Sequence, residues 1–299
     1  MMMEKNRAEL ILDAKALLGE GPCWDAKTNT LIWVDINGHT VNVYNPMTRE
    51  DKRYDVGEYV GAAVVRENGG LLLALTDGFY SFDMKTQTIS RIEDTESHIK
   101  TNRFNDGKCD PKGRFWTGTM VLDGDPGEAN LYRLDNDLTV QLMVADVTVS
   151  NGLAWDITKS RMYYIDTRTK AIRTYDFDNE TGDIANAKTV VTFQPEMGSP
   201  DGMTIDEEGM LWVAFFRGWR VIRLNPETGQ TLMEVEVPAS QVTSCTFGGE
   251  HLDELYITTA RNGLSDDDLK EQPYAGGLFK VKPGVKGVPS YTFQDIKRE

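Results

Sequence analysis

The sequence predicts an all-β chain, a six-bladed β-propeller of four-stranded antiparallel blades. Three observations carry that prediction. A Gly-containing strand signal recurs six times, at starts near residues 20, 60, 105, 150, 200 and 243. Each recurrence leads through a turn into a second strand rich in aromatic and β-branched residues. The period, about 40 to 50 residues with several short strands in each, is that of propeller blades.

The elements follow in order. Ala8-Glu9-Leu10-Ile11-Leu12 reads as an outer strand that closes the ring beside the last blade, leaving fewer open edges. Repeat one runs through Gly21-Pro22-Cys23-Trp24-Asp25, Leu31-Ile32-Trp33-Val34-Asp35 and Val41-Asn42-Val43-Tyr44. Repeat two has Gly61-Ala62-Ala63-Val64-Val65 and Leu71-Leu72-Leu73-Ala74-Leu75. The third has Gly107-Lys108-Cys109-Asp110 and Arg114-Phe115-Trp116-Thr117-Gly118, and the fourth Gly152-Leu153-Ala154-Trp155-Asp156 and Met162-Tyr163-Tyr164-Ile165. The fifth has Gly202-Met203-Thr204-Ile205-Asp206 and Leu211-Trp212-Val213-Ala214. The last has Ser244-Cys245-Thr246-Phe247 and Leu255-Tyr256-Ile257-Thr258. Turn formers such as Pro111-Lys112-Gly113 and Asp206-Glu207-Glu208-Gly209 separate first from second strands. The first strands crowd around one axis, where a missing side chain lets backbones approach. No linker interrupts the series, so residues 1–299 are expected to form one propeller domain. Ser265-Asp266-Asp267-Asp268-Leu269 reads as a short helical turn with Asp266 as its cap, its aspartates not spaced as a calcium loop.

Composition narrows the function. The 299 residues carry 32 basic and 47 acidic side chains, a net charge of −15. That balance disfavours nucleic acid and anionic membranes as partners and suits small molecules or cations. No stretch approaches the roughly 18 apolar residues of a membrane span. The opening Met1-Met2-Met3-Glu4-Lys5 lacks the apolar core of an export signal. Three cysteines, Cys23, Cys109 and Cys245, fit no disulfide framework and read as reduced core residues. A cytoplasmic location is expected.

The chemistry lies in the slot before the repeated Gly. Four repeats place a metal-capable oxygen donor there: Glu20, Asp106, Asn151 and Asp201. In a propeller, equivalent first-strand positions meet near the central channel. Glu20, Asn151 and Asp201 would then converge as hard ligands, with two carboxylates matching a divalent ion. Oxygen-only ligation favours Ca²⁺, with Mg²⁺, Mn²⁺ or Zn²⁺ also compatible. Three protein ligands leave positions for water or substrate, as metal catalysis requires. Against this stands a plain alternative, since Asn-Gly and Asp-Gly are turn dipeptides. Arg103 and Asn105 of Asn102-Arg103-Phe104-Asn105-Asp106-Gly107-Lys108 offer donors and an acceptor for substrate oxygens in the same mouth. Asp106 either faces the channel or pairs with Lys108. Asp123, in the loop Leu122-Asp123-Gly124-Asp125-Pro126-Gly127, is a candidate for the mouth or for a solvated loop. Competing chemistries lack support: no Gly-x-Ser-x-Gly elbow is present, and His39, His98 and His251 share no slot with the donors. Trp219 reads as packing between strands.

Taken together, Leu18-Gly19-Glu20-Gly21-Pro22, Asn102-Arg103-Phe104-Asn105-Asp106-Gly107-Lys108, Ser150-Asn151-Gly152-Leu153-Ala154-Trp155 and Ser199-Pro200-Asp201-Gly202-Met203 resemble the senescence marker protein/gluconolactonase/luciferin-regenerating (SGL) family, and its regucalcin-like members in particular. The resemblance covers nearly the whole chain. It implies a six-bladed propeller with one divalent metal at the channel mouth, held by Glu20, Asn151 and Asp201. It places the family's substrate-binding Arg and Asn on Arg103 and Asn105. A further acidic residue falls near Asp123, after Gly118-Thr119-Met120, where regucalcin-like members carry the longer Glu. The expected activity is metal-dependent hydrolysis of a sugar lactone such as gluconolactone, with Asp201 as general base. The alternatives are a calcium- or ligand-binding propeller without catalysis, and an esterase or phosphotriesterase on the same metal.

Overall fold

The computed structural model describes residues 4–295. Residues 1–3, part of the opening stretch considered above, and residues 296–299 lie outside the described residues. Six antiparallel sheets stand in a ring. Their innermost strands are Gly19–Asp25, Ala62–Val65, Asn102–Cys109, Ser150–Asp156, Ser199–Ile205 and Val242–Gly248. Each packs against the innermost strand of the next blade, and the sixth packs against the first, which closes the circle. The six-bladed propeller read from the sequence is the fold observed.

The ring is held by six apolar clusters, one at each interface between neighbouring blades. Middle strands are therefore covered on both faces, which is why Leu71–Ala74 is a continuous apolar run, buried throughout. Outermost strands meet water instead: Glu50–Asp55 has no buried residue. The aromatics are the large pieces of the packing. Trp116 meets Trp155 of the next blade edge to face at 5.9 Å, and truncating such a buried ring costs about 3–5 kcal/mol.

A recurrent aspartate pins the first turn of the blades. Asp110 is fully buried and accepts hydrogen bonds from Lys112 N, Arg114 N, Arg114 Nε and Trp116 Nε1. Asp206 repeats the pattern with Glu208 N, Met210 N, Trp212 Nε1 and Arg223 Nε. Each fixes backbone and indole together, so the turn and the core aromatic are set by one carboxylate.

Both chain ends complete the ring. Glu9–Leu12 pairs antiparallel with Leu278–Val281 and supplies the outer strand of blade six, as the sequence predicts. Glu4–Arg7 was not foreseen: it adds a fifth strand to blade five, parallel to Thr231–Glu236. The C-terminal segment crosses one end of the ring. Gly287 N bonds the Leu252 carbonyl, Trp24 N bonds Ser290 Oγ, Phe293 N bonds the Val65 carbonyl and Gln294 N bonds that of Gly113. These anchors lie at or just past the C-terminal ends of the inner strands, the end opposite the donor slots. The helical turn read from the sequence is present as Asp266–Glu271, but its cap is Ser265 rather than Asp266. Ser265 and Asp268 form a reciprocal capping box, which Asp266, one residue too late, cannot make. No described helix is long and apolar enough to cross a membrane.

Candidate metal centre and its mouth

The inner strands share one irregularity. Five of the six lose register with their neighbour at the slot that carries the oxygen donors. The shift encloses Asn105 and Asp106 in blade three, Asn151 in blade four and Asp201 in blade five, and Glu20 stands at its edge in blade one. Blade two, which has Val60 before its Gly, pairs without a shift. A β-bulge frees a residue from the ladder and re-aims its side chain. The X-Gly dipeptide thus has a mechanical role: Gly21 takes φ of +51°, and a Cβ on Gly152 would stand 2.8 Å from the Asp201 carbonyl of the neighbouring blade.

The bulged residues meet at a cavity of about 430 Å³. Its walls include Glu20, Arg103, Asn105, Asn151 and Asp201, together with Leu18, Met120, Val149, Thr167, Arg168, Lys170, Ser199, Phe216 and Arg217. Glu20, Arg103, Asn105, Asn151 and Asp201 are all buried, the most exposed of them, Asp201, at 7%. Asp123 is not brought into this group; it is exposed in its loop, outside the cavity walls.

Each polar side chain has a defined hold. Thr167 donates its hydroxyl proton to the Pro200 carbonyl at 2.9 Å, so toward Asn151 it can only accept. It accepts from Asn151 Nδ2, also at 2.9 Å, and this orients the amide. Asn151 Oδ1 is left buried without a hydrogen-bond partner. An orphaned buried acceptor is costly, by about 1–3 kcal/mol, and wants a cation or donor. Glu20 Oε2 accepts from Gly21 N at 3.0 Å. Arg103 Nη1 donates to the Phe104 carbonyl and to Asn105 Oδ1, both at 2.8 Å, while Asn105 Nδ2 donates to the Ser150 carbonyl at 2.7 Å. Asn105 therefore orients Arg103 and keeps one N–H and one lone pair free. Arg103 lies over the Tyr59 ring at 5.8 Å, with Nε buried and unpartnered.

The electrostatics are those of a site short of positive charge. Burial, then Asp201 and Asp106, push the Glu20 carboxyl well above its usual range. Burial and Asp106 do the same to Asp201. Burial also raises Asp106, which Lys108 tempers. Asp106 is not in the cavity wall, but its charge reaches both carboxyls there. The expected pairing of Asp106 with Lys108 is not the one formed: Lys108 Nζ donates to the Met203 carbonyl at 2.7 Å. Burial lowers Arg103 to about 10, against the raising influence of Glu20, Tyr59 and Asp201.

The donor set fits a hard divalent ion. The orphaned Asn151 Oδ1 and two buried carboxylates that resist ionising together are what such an ion would satisfy. Among the described residues no three His, Cys, Asp or Glu side chains converge as a metal site, so Asn151 would have to be the third protein ligand.

Comparison with known proteins places the chain in a family. Residues 18–261 match the model of the SMP-30/Gluconolactonase/LRE-like region. The chain belongs to that family. Among its relatives, YvrE of Bacillus subtilis (strain 168), provisionally named a sugar lactone lactonase, is 40% identical over 286 residues, covering 96% of this chain and 98% of YvrE. Regucalcin of Oryctolagus cuniculus is 38% identical over 297 residues, covering 97% and 99%. The crystal structure of a calcium-binding protein, regucalcin, from Agrobacterium tumefaciens str. C58 superposes with a TM-score of 0.93 at 25% identity, covering 98% and 99%.

Several cavity residues escaped sequence reasoning. Thr167 sits just after the second strand of blade four, and nothing local marks it as the partner of Asn151. The rim cations Arg168, Lys170 and Arg217 occupy ordinary-looking turns; only their place in the second-strand exits of blades four and five, next to donor slots, could have signalled them. Trp219, read as packing, is 41% exposed at the hairpin of blade five.

Proposed function

We propose that this chain is a divalent-metal-dependent hydrolase that opens a sugar lactone, an aldonolactone such as gluconolactone being the simplest substrate. The observation that carries the reading is the buried, unpartnered Asn151 Oδ1 in one cavity with Glu20 and Asp201. The family and the lactonase name of a relative 40% identical over nearly the whole chain support it. Glu20, Asn151 and Asp201 would hold the metal; oxygen-only donors favour Ca²⁺, and a structural relative is described as calcium-binding.

When bound, such an ion supplies Lewis acidity at the lactone carbonyl. The residues supply the rest. Arg103, pinned by Phe104 and Asn105, presents its remaining N–H groups to substrate hydroxyls, and Asn105 offers its free N–H and lone pair. Asp201 takes a proton from the attacking water as general base. Water oxygen bonds to the acyl carbon, the acyl–ring oxygen bond breaks, and the proton on Asp201 passes to the departing ring oxygen. The product is the open hydroxy acid. Burial raises the Asp201 carboxyl well above its usual range, and a bound cation acts in the opposite direction. Asp123, exposed outside the walls, would act only if its loop folded inward over the substrate. The free thiols Cys23, Cys109 and Cys245 accord with a cytoplasmic location.

The test is hydrolysis of a δ-lactone followed by pH indicator, with EDTA treatment and metal add-back. Activity should vanish with EDTA and return with Ca²⁺, and Arg103→Ala should lower kcat/KM by about 10–100-fold. Full turnover after EDTA, or unchanged turnover in metal-loaded Asp201→Asn, would overturn the assignment. A calcium-binding propeller without catalysis would bind the ion yet hydrolyse no lactone, aryl ester or phosphotriester.

A further inference from the structure

The charge of the cavity wall is inverted relative to the molecule. The chain has 32 basic and 47 acidic residues. The cavity wall has four basic side chains, Arg103, Arg168, Lys170 and Arg217, against two acidic ones, Glu20 and Asp201. Arg103 is buried at the inner end and shares the field of the two carboxylates. The other three stand at the outer end, on blades four and five.

None of these three makes an ion-pair contact with a carboxylate among the described residues. Arg168 is exposed on the 3₁₀ turn Thr167–Thr169; its backbone N bonds Asp166 Oδ1, which fixes the turn and leaves the guanidinium unengaged. Lys170 is half-buried. Its Nζ donates to the Gly198 carbonyl and to Ser199 Oγ, both at 2.9 Å, so the ammonium is held in place with its third N–H and its charge unanswered. Arg217 is exposed on the hairpin after Leu211–Phe216, its guanidinium 6.0 Å from the Phe216 ring centroid. Asp268 and Arg217 feel each other's charge without an ion-pair contact, the Asp268 carboxyl being held low first by hydrogen bonds from Ser265 and then by Arg217. In a protein of this composition, three unpaired cations around one opening are not needed for solubility, and a surface lysine anchored by two acceptors has given up its freedom. A neutral sugar lactone would leave all three without use.

We propose that the substrate is a sugar lactone bearing an anionic group, a carboxylate or a phosphate, at the end away from the lactone carbonyl. Arg168, Lys170 and Arg217 would hold that group while the lactone lies inward against Glu20, Asn151 and Asp201. The inference rests on the lactonase reading for the reacting end only; the anion subsite stands on the rim itself. Guanidinium and ammonium groups give charge-assisted hydrogen bonds to such oxygens. A cavity of about 430 Å³ lies within the usual range of small-molecule sites, and it accommodates a hexose-sized ring with one added acidic group.

The test uses the full chain, loaded with Ca²⁺, and three lactones: glucono-1,5-lactone, its 6-phosphate and glucaro-1,4-lactone. One or both anionic lactones should be preferred over the neutral one by about tenfold or more in kcat/KM, and whichever leads identifies phosphate or carboxylate as the group read. Arg168→Ala with Arg217→Ala should lower kcat/KM for the preferred anionic lactone about tenfold more than for the neutral one, through KM. A second readout needs no turnover. In calorimetry, 6-phosphogluconate or glucarate should bind at least about tenfold tighter than gluconate, and the double variant should erase that margin. The proposal is overturned if the neutral lactone is preferred, or if the double variant lowers all three lactones equally. If no lactone is hydrolysed but the anionic acids still bind tighter than gluconate, the rim assignment stands and the lactonase reading falls.

Discussion

Replacing Asn151 by Leu separates a metal ligand from a turn-former. In the metal-free protein the change removes the Nδ2 bond to Thr167 and the interaction by which Asn151 lowers the Asp201 carboxyl, each worth about 0.5–1.5 kcal/mol, and also removes the buried unpartnered Oδ1, worth about 1–3 kcal/mol in the opposite sense. Leu is close to Asn in shape, and Thr167 keeps its bond to Pro200. The two sides nearly cancel, so the metal-free variant should melt within a few degrees of the wild-type temperature. With metal the change is destabilising. An ion at 100 times its Kd stabilises the native state by about 2.7 kcal/mol. Loss of one of three protein donors, taken as a 10–100-fold weakening, leaves about 0.4–1.4 kcal/mol. At about 2 °C per kcal/mol for a chain of this size, the calcium-induced rise in Tm should fall from about 5 °C to about 1–3 °C. Differential scanning calorimetry in EDTA and in calcium, at a concentration set from the wild-type Kd, reads both numbers. A variant that keeps the full calcium-induced rise would show that Asn151 is no ligand. A metal-free variant melting about 6 °C or more below wild type would show that Oδ1 has a partner after all.

Three further outcomes are expected. The raised carboxyls of Glu20, Asp201 and Asp106 make the metal-free protein pH-sensitive: their contribution is complete below the unfolded carboxylate range, about 4, and is lost as pH rises through their elevated folded values. Thermal unfolding in EDTA should thus show greater stability near pH 5.5 than near pH 8, because carboxyls held low, such as Asp83 and Asp94, act only below that window. Saturating calcium should flatten the profile, and a slope unchanged in Glu20→Gln/Asp201→Asn would count against the cause given. Thr167→Val keeps shape but loses the acceptor that orients Asn151; a cost of about 1–2 kcal/mol and a several-fold weaker calcium Kd should appear, measurable by denaturant unfolding and calorimetry. Gly152→Ala puts a Cβ 2.6 Å from Met203 Cβ and 2.8 Å from the Asp201 carbonyl, so it should destabilise by about 1–3 kcal/mol and blunt the calcium response by displacing Asp201, whereas wild-type melting in both conditions would refute the close approach.

The six blades were legible because a blade is a local object. Its turns, its aromatic second strand and its Gly slot are set within a few dozen residues, and burial on both faces writes itself as runs such as Leu71-Leu72-Leu73-Ala74. The closing role of Glu9–Leu12 was legible for the same reason, since an unpaired strand signal before blade one has few places to go. The shared slot of Glu20, Asn151 and Asp201 was also readable, because repetition makes position predictable. What the slot does to a side chain was not. The bulge that turns these residues toward the cavity, the Thr167 hydroxyl that orients the Asn151 amide, the Lys108 bond to Met203 and the C-terminal segment across one end of the ring all join residues far apart in the chain. Likewise Asp123 stands outside the cavity, whereas Arg168, Lys170 and Arg217 line it, though no motif distinguishes them. Sequence alone determined the strands of the six blades, though not the added strand Glu4–Arg7, and which donors share a level. Closure of the ring decided which of those groups face one another, because contact across a channel depends on the angle and register of separate sheets, and no short stretch of residues encodes either.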